Sequence, residues 1–105
     1  MKLPDDPIIL ELMPEFIDTW IQDINTQMPS ILESRNKDDL YRLGHTIKGS
    51  CLQFGFDDLA KYGYRIMDYS KEENWDKAAE MEPILKQIFS DLKVEVEAQL
   101  KQMSK

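Results

Sequence analysis

Apolar side chains return every three or four residues almost from end to end of this chain. β-Branched runs are nearly absent, and only four glycines occur in 105 residues. That period is the signature of amphipathic helices and leaves little room for a sheet. The segment Pro7 to Met13 (Ile8, Ile9, Leu10, Leu12) reads as a short helix of its own, ended by Pro14. From Pro14 the series Phe16, Ile17, Trp20, Ile21, Ile24, Met28, Ile31, Leu32 predicts a first long helix, with Pro14 suited to the first helical position and Pro29 expected to kink or break it. Asn36 is expected to cap a second helix that carries Leu40, Leu43, Ile47, Cys51 and Phe54, with Asp38 and Asp39 in its first turn and Gly55 closing it. Asp57 is expected to cap a third helix through Leu59, Tyr62, Ile66 and Tyr69. Asn74 is expected to cap a fourth that runs towards Met103 over Ala78, Met81, Leu85, Ile88, Phe89, Leu92, Val96 and Leu100, kinked near Pro83. The expectation is one all-α domain over residues 1–105: an antiparallel up-and-down four-helix bundle with a short extra helix at its N-terminus.

Composition removes several function classes. Thirteen Lys and Arg face twenty Asp and Glu, a formal net charge of -7, the wrong sign for neutralising nucleic-acid phosphates. No apolar run approaches the roughly 18 residues of a membrane-spanning helix. The start Met1-Lys2-Leu3-Pro4-Asp5-Asp6 lacks the apolar core and small-residue cleavage site of a signal peptide. The single cysteine, Cys51, excludes an internal disulfide framework and a Cys-rich zinc site. A cytoplasmic protein without nucleic-acid or membrane partners is expected.

The single histidine is the most informative residue. On a helical wheel started at Leu40 and advanced by about 100° per residue, Leu43, Ile47, Cys51 and Phe54 fall within about 60° of zero and mark the core side. His45 falls near 140° and Lys48 near 80°, with Leu52 near 120° and Gly49 near 180°. His45 thus points away from the centre of the core stripe, with a cation three residues on and a glycine four residues on as surface neighbours. A glycine in mid-helix costs about 1 kcal/mol relative to alanine. Something must offset that cost, and close approach of another molecule to the imidazole is the candidate.

The run His45-Thr46-Ile47-Lys48-Gly49-Ser50-Cys51-Leu52-Gln53-Phe54-Gly55 resembles the signature of histidine-containing phosphotransfer (HPt) domains. In that signature a histidine is followed by lysine at the third place, glycine at the fourth, an apolar residue at the ninth and glycine at the tenth; Lys48, Gly49, Phe54 and Gly55 fill them. Asp58-Leu59 and Tyr62-Gly63 fit the family's following helix, and Pro14-Glu15-Phe16 resembles the start of its first long helix. The resemblance implies a phosphorelay intermediate and not an enzyme in the usual sense. His45 would accept a phosphoryl group from a receiver-domain aspartyl phosphate and pass it to another receiver aspartate. Lys48 would balance phosphoryl charge, and Gly49 would leave room for the partner. The partners would be receiver domains of response regulators and of a hybrid histidine kinase. No cofactor of its own is implied, since the family's magnesium ion belongs to the receiver. An imidazole, with an ordinary pKa of about 6.5, is largely neutral and nucleophilic near pH 7. Receiver docking is expected on Tyr41, Leu52 and Phe56, joined by Ile8 or Ile9.

One departure stands out. Many members place a glutamine or carboxylate, able to hydrogen-bond the histidine ring, where this chain has Met67, whose sulfur is only a weak acceptor. Gln53, Arg65, Asp68 or water is left to orient the ring. Other constellations read as structural. Cys51 lies on the core stripe, and Ser50 is about 140° around the helix from His45, poor geometry for a Ser–His pair. The pairs Asp5-Asp6, Asp38-Asp39 and Asp57-Asp58 stand at helix starts, where the dipole favours them. Trp20, Trp75, Tyr62 and Tyr64 read as core or its margin, as do Met13, Met28 and Met81. No nucleotide-binding motif occurs. The alternative is a helical adaptor that binds signalling partners without being phosphorylated; a small hydrolase using His45 lacks a second catalytic group.

Overall fold

The computed structural model describes residues 3–103 and is built from four helices with no strand among them: α1 (Pro7–Ser34), α2 (Lys37–Gln53), α3 (Asp57–Glu72) and α4 (Trp75–Met103). Links of two or three residues force each helix to turn back along the one before it. Their chemistry is local. Asn36 accepts the Asp39 amide at 3.1 Å to open α2, and Asn74 accepts the Lys77 amide at 3.2 Å to open α4. Gly55, at φ +80°, closes α2: its amide donates to the Leu52 carbonyl while that of Phe56 donates to the Cys51 carbonyl. Arg35 and Glu73 take the same left-handed conformation after α1 and α3 without being glycine.

Two expectations are corrected. The N-terminal segment is not a separate helix: α1 runs unbroken from Pro7, with Asp6 capping it by accepting the Ile8 amide at 2.9 Å, and Pro14 and Pro29 lie inside it. An internal proline costs about 3 kcal/mol. A break at Pro14 would lift Leu10 and Met13 out of register with Ile17, and burial of two such side chains is worth about 3–6 kcal/mol. All three are buried, so the continuous helix wins. Pro83 likewise lies within an unbroken α4, and both Pro29 and Pro83 face solvent, where water can satisfy the carbonyl each leaves free. The second correction concerns α3. Its N-cap is Phe56, with no side-chain cap, and Asp57 and Asp58 sit in the first turn as dipole-compensating charges.

The core runs the length of the bundle, through Met13, Ile17, Ile24 and Met28 of α1 and Met81, Leu85, Phe89, Leu92 and Val96 of α4, with Leu40, Ile47, Cys51 and Ile66 from the middle pair. Trp20 packs edge-on against Phe54 and tilted against Phe89, fastening the C-terminal end of α2 to α1 and α4. At the other end the buried Ser70 hydroxyl of α3 donates to the Lys37 carbonyl of α2. With 28 and 29 residues, α1 and α4 span about 42 Å against about 25 Å for α2 and α3, so the outer pair projects past the inner one along the 49 Å long axis.

Candidate functional site

The α2–α3 seam sets the geometry. Gly44 and Gly63 face one another across it. A Cβ added at Gly63 would lie 2.6 Å from the Gly44 carbonyl oxygen and 2.6 Å from the Lys48 amide nitrogen; one added at Gly44 would lie 2.8 Å from the Gly63 carbonyl oxygen. Only glycine at both places lets the two backbones meet so closely. The residues beside the crossing are His45, next to Gly44, and Lys48, whose backbone touches Gly63.

His45 is solvent-exposed on α2, on the side the wheel assigns to it, and it lines an open depression of about 390 Å³ with Asp38, Tyr41 and Arg42. Among the described residues no side chain hydrogen-bonds its ring. Arg65 lies over the Tyr62 ring, 5.3 Å from its centroid. Gln53 is eight residues along the helix, about 12 Å away, and Asp68 is exposed without a bond to the imidazole. Met67 is buried against the glycine crossing, its Cγ 3.0 Å from where a Gly44 Cβ would be. Lys48 is half-buried, with Nζ 5.5 Å from the centroid of the Tyr64 ring. Gly49 is exposed, and nothing lies within 4 Å of the place a Cβ would take. The backbone one turn beyond His45 is therefore bare.

The proposed docking residues divide. Tyr41 is half-buried beside His45, and Leu52 is 42 % exposed on the same flank of α2. Phe56 does not belong there: it is 2 % exposed, and its place as N-cap of α3 turns its ring into the core. Ile8 is 68 % exposed but sits on the projecting end of α1. Phe16 meets Phe54 at 5.1 Å between ring centroids, which puts Ile8 about 25 Å along the axis from His45. Ile9 is partly buried against the core.

Sequence reasoning placed Tyr64 at the core margin, whereas it is 48 % exposed beside Lys48. Its spacing was the available signal: Tyr41 and Lys48 on α2, and Tyr64 and Lys71 on α3, are each seven residues apart. Cys51 is fully buried, and burial pushes its thiol up to about 12. It is a core residue. Among the described residues no three His, Cys, Asp or Glu side chains converge as metal ligands, and no helix is long and apolar enough to cross a membrane.

An exposed histidine on α2 with a lysine and a bare glycine turn beside it, on four antiparallel helices, is the arrangement that the sequence resemblance to HPt domains implies. The family comparison agrees: the Hpt domain model matches residues 9–104, nearly the whole chain, and the protein belongs to that family. Hpt domains act in histidine phosphotransfer within phosphorelays, carrying phosphoryl groups rather than acting as kinases, and they generally interact with receiver domains. No curated protein and no solved structure matched the chain.

Proposed function

We propose that this protein is a phosphorelay intermediate that takes a phosphoryl group onto His45 from a receiver aspartyl phosphate and delivers it to the aspartate of another receiver. The observation that carries this reading is the exposed, uncovered His45, set between Lys48 and the bare turn at Gly49, in a chain that belongs to the Hpt family. In the forward step a lone pair on a ring nitrogen attacks phosphorus in line. The N–P bond forms as the P–O bond to the donor aspartate breaks, and the electron pair leaves on the carboxylate. The return step reverses this towards the second aspartate. Such transfers depend on positioning and on charge balance at the equatorial oxygens. Lys48 supplies one positive charge a helical turn from the ring, and the divalent cation and reacting carboxylate belong to the receiver. Gly49 clears the space into which the receiver's active face descends. Tyr41 and Leu52 flank that space and supply apolar contact for a small, transient interface with polar rims.

The second reading, a non-phosphorylated adaptor, draws on one observation: no side chain of the described residues holds the imidazole. The test is incubation with a receiver phosphorylated by a small-molecule acyl phosphate. Acid-labile, base-stable label on the wild-type chain and none on His45→Gln is expected. Binding of the receiver without any label would favour the adaptor.

A further inference from the structure

The two Tyr–Lys pairs cross the α2–α3 seam reciprocally. Lys48 of α2 lies on Tyr64 of α3, and Lys71 of α3 lies on Tyr41 of α2, each ammonium 5.5 Å from its ring centroid. The matched seven-residue spacings on antiparallel helices make both contacts possible at once, and the glycine crossing brings the backbones near enough for each lysine to reach across. His45 stands between Tyr41 and Lys48, one turn from either. Among the described residues, Lys61, Lys77, Lys86 and Lys93 pair with carboxylates, whereas Lys48 and Lys71 pair with aromatic faces. Arg42, the cation that lines the depression, pairs with Asp39 at 3.5 Å.

We propose that Lys71 is a second phosphoryl-binding cation of this site, parked on the Tyr41 ring in the unphosphorylated protein and released to the oxygens of a phosphoryl group on His45. The inference rests on the carrier reading above. A phosphoryl group brings a charge of about -1.5 to -2 near neutral pH. One lysine leaves much of that uncompensated, on a chain already at -7 and with Asp38 at the same depression. An exposed cation–π contact is weaker than a charge-assisted bond to phosphate oxygen, so the ammonium exchanges one for the other. The travel needed is about one helical turn, roughly 5–6 Å, from Tyr41 towards His45. Lys48 approaches from the opposite side. Tyr41 and Tyr64 are positioning residues: they keep both ammonium groups over the seam and away from the carboxylates of an acidic surface.

The experiment is NMR of the full chain with and without phosphate on His45, introduced by a phosphorylated receiver or by phosphoramidate. In the free protein the ε-methylene protons of Lys71 are expected upfield of ordinary lysine, under the Tyr41 ring current, and Tyr41→Leu should abolish that shift. Phosphorylation should move them to ordinary values, with no movement in His45→Gln treated identically. In receiver transfer, Lys71→Gln should lower the rate at saturating receiver about fivefold, the size expected of one charge near 4 Å in water-like surroundings, with KM unchanged. Lys71→Arg should restore most of it. Lys71 resonances that stay put while His45 carries phosphate, or a wild-type rate for Lys71→Gln, would overturn the inference and leave the carrier reading intact. A chain that takes no phosphate at His45 from any donor would overturn both.

Discussion

The same chemical change, glycine to alanine, should have opposite effects at two glycines of this site. At Gly49 the position is exposed and helical, and nothing lies within 4 Å of an added Cβ, so the methyl meets only water. Its effect is helix propensity, about 1 kcal/mol in favour of the folded state. For a domain of this size that is a rise of about 4–5 °C in Tm. At Gly63 the same gain is overwhelmed. The added Cβ falls 2.6 Å from both the Gly44 carbonyl oxygen and the Lys48 amide nitrogen, about 0.8 Å inside ordinary contact, and both are backbone atoms that no rotamer change can move. The helices must part, which loosens the α2–α3 packing and draws Tyr64 from Lys48. Overpacking of this kind costs about 1–3 kcal/mol or more, so Gly63→Ala should melt several degrees below wild type. Thermal unfolding followed by circular dichroism reads both. A Gly63→Ala protein that melts as high as Gly49→Ala would refute the claim that the seam is closed by backbone contact.

Further outcomes follow from the same geometry. Gly49→Gln should fold with an unchanged circular dichroism spectrum yet accept phosphate from a receiver on the order of a hundredfold more slowly, because its side chain stands where near-attack geometry tolerates an error of about 1 Å; a wild-type rate would show that Gly49 clears no space. Lys48→Ala should slow transfer by a few kcal/mol of barrier at most, since it removes one electrostatic donor among several; stopped-flow transfer at wild-type rate would assign all charge balance to the receiver. Leu52→Asp should weaken receiver binding by calorimetry without lowering Tm, and unchanged affinity would move the interface to another face. Burial that raises the Cys51 thiol to about 12 stabilises its neutral form in the folded state. Its contribution is therefore complete below the unfolded thiol's pKa near 9 and is lost between there and about pH 12 as the unfolded state alone ionises. Native protein at pH 8 should resist alkylation that unfolded protein undergoes at once.

The four-helix architecture was legible because its signals are local and periodic: the Leu40, Leu43, Ile47, Cys51 stripe, the Asn36 and Asn74 caps, and the Gly55 stop all act within a turn of themselves. Pro14 misled for the complementary reason. Its cost is local, but the burial of Leu10 and Met13 that outweighs it depends on α4, which a single-helix pattern does not contain. Phe56 failed similarly: it lies beyond the turn that Gly55 closes, where the phase of α2 no longer applies, and its ring goes inwards. The exposure of His45 and of Gly49 was readable from the wheel, since each depends only on the phase of α2 against its own core stripe. The glycine crossing and the reciprocal Tyr–Lys pairs were not, because they exist only once α3 is set antiparallel against α2 at a particular register. Their trace, two seven-residue spacings and two glycines, has no meaning along one helix.

A carrier must release to a receiver the phosphoryl group it accepts. The most direct measurement begins with protein labelled at His45, freed of its donor and mixed with an unphosphorylated receiver in the presence of Mg²⁺. Label should leave the chain and appear, base-labile, on the receiver aspartate, with Lys48→Ala slower and His45→Gln never labelled at all. Label that is released only as inorganic phosphate, or that stays on the chain with every receiver offered, would contradict the account.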